Sequence, residues 1–131
     1  MTKEYSPTHI INYGTAGSLN EELKGLVEVT RLFQRDMDAT SLGLKIGQTP
    51  FDDIAEIDSG KHGFSCGTGD FFVRQIPKLK TDLVDMEAYA IAKICYMKVV
   101  SFRCFKYISD DADTDAHDDW IKNVAGGKNY L

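Results

Sequence analysis

Short, densely apolar runs punctuate the chain, and glycine, proline or acidic residues close each of them. "THIINYGTAGSL" reads as a buried strand over residues 10–13 that enters a turn carrying Gly14 and Gly17. "GLVEVTRLFQRDMDAT" gives a second strand, β-branched and aromatic up to Phe33, with acids just after it. Residues 41–63, which include Pro50 and several glycines, read as loop with a short strand near 53–57. "KHGFSCGTGDFFV" is a strand that ends in a glycine-rich turn, and "DLVDMEAYAIAKICYM" is a short strand followed by a helix. In that helix Met86, Ala90 and Ile94, and again Ala88, Ile91 and Cys95, recur at helical spacing. "KVVSFRCFKYISD" is the clearest strand, apolar on both faces through Val99, Val100, Phe102, Cys104 and Phe105, as in a sheet covered on both sides. "DDWIKNVAGGKNYL" starts a helix that Gly126 and Gly127 stop. Strands alternating with helices predict an α/β fold with a mixed, mostly parallel sheet, as one domain over residues 1–131.

Composition narrows the functions open to such a fold. With 131 residues, 43% of them hydrophobic and 27% charged, the chain can bury a real core. Its net charge of -5 disfavours a sequence-independent grip on nucleic acid or anionic lipid, which call for a basic surface. No apolar run approaches the roughly 18 residues of a membrane span, and "MTKEYSPTHI" lacks the apolar core of a signal peptide. Cys66, Cys95 and Cys104 are odd in number and without C-x-x-C spacing, which fits reduced thiols in a cytoplasmic protein. His9, His62 and His117 stand far apart, so no metal site is expected.

The polar positions carry the candidate chemistry. One strand closes with "GTGD" (Asp70), one with "DME" (Asp85 and Glu87), one with "SDDAD" (Asp110, Asp111 and Asp113), and a fourth with "GTAGS", which brings Thr15 and Ser18. In an open α/β sheet, ligands collect beyond the carboxyl ends of strands, so four polar ends of this kind converge on one small-molecule pocket. A plainer purpose remains open for each. Asp at a strand-to-helix junction often serves only as a helix cap, acids in a first turn suit the helix dipole, and paired glycines often serve only a tight turn.

The ordered set "INYGTAGSL", "RDMDATSLGLKIGQTPF", "CGTGDFFV", "DLVDMEAYAIAKIC" and "FKYISDDAD" resembles the nucleoside phosphorylase and nucleosidase superfamily, most closely its 5'-methylthioadenosine/S-adenosylhomocysteine nucleosidase branch. The resemblance implies a single-domain three-layer α/β/α fold and cleavage of the N-glycosidic bond of purine nucleosides, with no cofactor. It implies that Glu87 binds the ribose hydroxyls, where a carboxylate accepts two charge-assisted hydrogen bonds and faces the cationic sugar of the transition state. Met86 then packs on the sugar. Asp110 is the implied general acid toward N7 of the leaving base, oriented by Ser109, and a dry pocket that raises its pKa suits that task. Phe72 stacks on the base, the backbone of Val73 reads its edge, and Thr15 sits beneath the sugar near the water or phosphate. Leu42 and Pro50 line the 5' end of the site in a neighbouring subunit, which implies a homo-oligomer, dimer or hexamer.

The family pattern also carries an N-terminal segment, with further strands, a glycine-rich loop and a water-activating Glu, before the "INYGTAG" strand. Only nine residues precede Ile10 here, and nothing around Glu4 matches, so the resemblance implies a fold lacking those strands. Another acid, or a neighbouring subunit, then supplies the base, or activity is lost. Three readings stand: hydrolysis to free base and sugar, phosphorolysis with phosphate as co-substrate, and an inactive nucleoside-binding protein. Phosphorylases of the superfamily place an arginine where this chain has Asn12, as nucleosidases do, although Arg31, Arg35, Arg74 and Arg103 remain.

Overall fold

The computed structural model describes residues 6–70 and 78–111, the last three by their backbone alone. Six strands and one α-helix follow in the order β1 (His9–Ser18), β2 (Leu26–Gln34), β3 (Ile57–Asp58), β4 (Phe64–Thr68), β5 (Leu83–Asp85), α1 (Ala88–Lys98) and β6 (Ser101–Asp111), with a 3₁₀ turn at Thr40–Leu42. This is an α/β fold with a mixed sheet. The helix expected near Trp120 lies outside the described residues.

The sheet closes on itself. β2 runs parallel to β4, β4 parallel to β5, β5 antiparallel to β1, β1 parallel to β6, and β6 antiparallel to the first half of β2. β3 takes the stretch of β2 that β6 leaves vacant, at Arg31 and Leu32. Both long ladders, β1–β6 and β2–β4, are parallel, as the apolar runs suggested. Closure satisfies strand edges that an open sheet would present to solvent or to another chain.

Two expectations change with this geometry. "GTAGS" is strand, not turn: β1 continues to Ser18 because β6 pairs with it throughout, with one irregularity between Ala16 and Gly17. Neither Gly14 nor Gly17 has a positive φ, whereas Gly25, in the turn that follows, does. The helix also turns a different face inward from one of the two expected stripes. Ala88, Tyr89, Ala92 and Cys95 are buried, while Met86 and Ile94 are half exposed. Both stripes fit the spacing of 3.6, and only contact with the ring decides between them.

The core fills the space between α1 and the ring: Ala16, Val29, Leu32, Cys66, Leu83, Ala88, Tyr89, Ala92 and Cys104, with Phe102 and Ile108 against it. All three cysteines are free and buried, which accords with the reading from their spacing. Burial pushes the Cys104 thiol up to about 12 and raises Cys66 well above its ordinary value. A thiol ionises near 8.5 once unfolded, so above that pH the unfolded chain sheds protons that the folded chain keeps, and stability falls. Urea midpoints are therefore expected to decline as pH rises from about 8.5 toward 12, and Cys104→Ala is expected to flatten part of that decline.

Candidate active site

The opening of α1 sets the site. Helices leave their first N–H groups without internal partners, and here the residue immediately before the helix, Glu87, makes no capping bond with its side chain. The task falls to neighbours. Asp85 Oδ2 accepts from the backbone N–H of Ala88 at 2.8 Å and of Glu87 at 3.4 Å, and Thr68 Oγ1 accepts from the N–H of Tyr89 at 2.9 Å. Asp85 Oδ1 accepts from the Thr68 hydroxyl at 2.5 Å and from the Cys66 thiol at 3.5 Å. The first carboxylate of "DME" is thus a helix cap made from the end of β5, supported by the end of β4.

Beneath it lies a residue that sequence reasoning passed over. Lys106, in the middle of β6, has a fully buried side chain, and its Nζ stands 3.0 Å from Asp85 Oδ2 and 3.2 Å from Glu87 Oε1. Burial by itself pulls a lysine pKa down, but the two carboxylates outweigh it and the pKa of Lys106 is raised. The ammonium stays charged. The available signal was a cation, Lys106, set alongside Arg103 in the otherwise apolar run "SFRCFKYIS".

Gly14 makes room for this pair. It lies opposite Lys106 in the β1–β6 ladder, and a Cβ built on it would sit 3.0 Å from Glu87 Oε1 and 3.2 Å from Lys106 Nζ. The glycine is needed for close approach rather than for a turn. Its neighbour Thr15 is half-buried. Glu87 and Met86 are about half exposed, so the cluster opens from a buried floor at Lys106 to a rim at the start of the helix.

The "GTGD" end of β4 is clamped from both sides. Arg35 N–H donates to the Thr68 carbonyl at 2.9 Å, and its Nε to the Gly67 carbonyl at 3.1 Å. Gly69 N–H donates to the Asp85 carbonyl at 3.0 Å, and Asp70 N–H to Asp36 Oδ2 at 3.0 Å. The Arg35 guanidinium lies so close to Gly69 that a Cβ there would fall 2.7 Å from Cζ. Burial lowers the pKa of this arginine, against the pull of Asp36, Asp85 and Asp70.

Of the residues named from the sequence, the structure draws Glu87 toward β1 at Gly14, the residue before Thr15. Asp110 is placed by its backbone, which pairs with Gly17 at the far end of the β1–β6 ladder, and Ser109 precedes it. Phe72 and Val73 lie outside the described residues. Leu42 is exposed and Pro50 half-buried, on the segment between β2 and β3. The ion pair of Asp52 with Lys93 straps that segment to α1. Neither residue joins the hydrogen-bonded cluster at Glu87. A cavity of about 200 Å³ elsewhere, lined by Leu32, Ile57, Tyr96, Phe102 and Arg103 among others, includes none of Asp85, Glu87 and Lys106. Among the described residues no group of histidine, cysteine and acids could hold a metal ion.

This arrangement is a nucleoside phosphorylase-like α/β fold. Futalosine hydrolase of Helicobacter pylori shares it with a TM-score of 0.85 at 22% identity, over 97% of this chain and 65% of that one. No protein-family model matches the chain. The 5'-methylthioadenosine/S-adenosylhomocysteine nucleosidase of Glaesserella parasuis is 31% identical over 85% of this chain and 60% of its own length. That of Staphylococcus carnosus is 30% identical over 95% of this chain and 68% of its own. The chain belongs to the family of 5'-methylthioadenosine/S-adenosylhomocysteine nucleosidases, within the nucleoside phosphorylase and nucleosidase superfamily. It spans about 60% to two thirds of the length of the first curated relatives it matches.

Removing Asp85 tests the architecture of the site. Asp85→Ala strips the cap from α1 and leaves the Lys106 ammonium buried with one partner. Breaking such a pair typically costs about 3–5 kcal/mol, and urea denaturation of the variant is expected to show a loss of that size.

Proposed function

We propose that the protein hydrolyses the N-glycosidic bond of purine nucleosides of the adenosine and methylthioadenosine type, releasing free base and sugar without a cofactor. Kinship with the nucleosidases supports the reaction class. The observation that favours water over phosphate as the second substrate is the pairing of Lys106. Its one positive charge is shared between Asp85 and Glu87, so the cluster is net negative and an incoming phosphate meets repulsion where it would need a free cation.

In this reading Glu87 accepts hydrogen bonds from the sugar hydroxyls, and its charge grows in value as the sugar becomes oxocarbenium-like. Met86, half exposed beside it, packs on the sugar. Thr15 lies beneath, toward the attacking water. Asp110, steadied by Ser109, gives its proton to N7 of the departing purine, so that the base leaves neutral, and the attacking water gives up its proton to another acid or to one supplied by a neighbouring subunit. Phe72 and the backbone of Val73 hold that base. Leu42 and Pro50 complete the 5' end of the site in a second copy of the chain, which makes the working form a homo-oligomer. Buried free thiols accord with a cytoplasmic setting, and no helix among the described residues is long and apolar enough to cross a membrane.

Release of purine from methylthioadenosine, adenosine, 2'-deoxyadenosine, inosine and guanosine, each with and without phosphate, tests the proposal. Adenine release independent of phosphate is expected. A requirement for phosphate, with a sugar 1-phosphate product, would establish the phosphorylase reading instead. Asp110→Asn is expected to lower turnover by about 100-fold or more, in the range of lost general-acid catalysis, with the circular dichroism unchanged. Full activity in that variant would remove Asp110 from the role.

A further inference from the structure

We propose that Lys106 is the positioning residue for Glu87: anchored from below by Asp85, its buried ammonium fixes the Glu87 carboxylate over Gly14 and presents it to the sugar. This deepens the proposed function and rests on it for the role of Glu87.

A half-exposed glutamate at the start of a helix ordinarily samples several rotamers or folds back on the helix N–H groups. Glu87 does neither. Asp85 and Thr68 have already taken the first N–H groups of α1, so the helix makes no demand on the Glu87 side chain. Asp85 cannot yield its position, because Thr68, Cys66 and two backbone N–H groups hold it in addition to Lys106. Lys106 therefore stands on a rigid support, with its stem rising from the inner face of β6 and no exposed atom. Among the described residues, its contact to Glu87 Oε1 at 3.2 Å is the interaction of the ammonium that reaches the rim. Exposed ion pairs hold geometry weakly because both partners move. Here one partner is buried and fixed, so orientation is imposed on the other. Gly14 supplies the clearance, since any side chain there would meet both groups.

A lysine that merely offsets the buried charge of Asp85 would show the same distances, and a double-mutant cycle separates the two roles. Methylthioadenosine cleavage is measured for the wild type, K106M, E87Q and K106M/E87Q, with thermal unfolding to show that each is folded. Should K106M fail to fold, the cycle is run in Asp85→Asn, which leaves an acceptor for the helix N–H groups and no lone buried charge. Lys106 acting through Glu87 predicts a fall in kcat/KM of about tenfold or more for K106M alone, and less than about threefold further when K106M is added to E87Q, a coupling within the usual range for contacting residues. K106R is expected to recover part of the loss. Equal losses from K106M in both backgrounds would overturn the proposal. A crystal structure of the folded K106M variant gives a reading independent of turnover. Glu87 is expected to leave its place over Gly14, and an unmoved Glu87 would overturn the clamp. Should the wild type cleave no nucleoside, the proposed function fails, while the crystal structure still decides whether Lys106 holds Glu87.

Discussion

An ammonium with no access to water is tolerable only beside a carboxylate, and the ion pair of Lys106 with Asp85 is the constraint to which the rest of this structure answers. Each ion alone would be far costlier to bury than any single apolar contact could offset. Together they tie β6 to the end of β5, and through Asp85 they tie both to the first turn of α1. The same demand explains Gly14, whose missing side chain is the space that the pair occupies. It also explains why β4 must end in threonine: the hydroxyl of Thr68 both donates to Asp85 and accepts from the helix.

The surface pairs behave differently. Arg31 with Glu56, Arg103 with Glu28 and Lys78 with Asp38 are all substantially exposed on at least one side, where solvent and salt leave such contacts worth little. Arg103 lies over the Phe105 ring and Arg31 over Phe33, so these side chains cover apolar surface as much as they pair charge. The chain thus spends its one fully buried cation, among the described residues, where the candidate site is built.

How far the sequence disclosed this depends on the kind of signal. The strands at "GLVEVTRLF" and "SFRCFKYISD" were legible because apolar density and β-branching survive any tertiary context. The strand-to-helix step at "DLVDMEAYA" was legible because its periodicity changes within a few residues. The continuation of β1 through "GTAGS" was hidden, since glycines signal turns unless a partner strand holds them extended, and that partner lies far along the chain. Ring closure was hidden for the same reason. For the site, the acids at strand ends were visible, and Asp85 does cap the helix as the plainer reading allowed. Lys106 was not singled out, because its strand also carries Arg103, which pairs at the surface, and nothing local tells the buried cation from the exposed one or marks the two acids that justify it.

The closed ring also orders events in time. β1 and β6, whose ladder is the longest in the sheet, join positions separated by 92 residues, and the β2–β6 seam spans a comparable loop. Contacts this distant in sequence must be reached against loop-closure entropy before they return any stability, which slows folding. On the ribosome, β1 and β2 emerge well before the strand that seals them, and at roughly 5–20 residues per second they wait several seconds with unpaired margins. During that interval Ile10 and Val27, whose ladder partners lie on β6, stand as free apolar strand, open to chaperones or to a neighbouring nascent chain. The last described strand is therefore the latch of the fold: what protects the finished protein from edge pairing is made only after its most vulnerable strands have been exposed the longest.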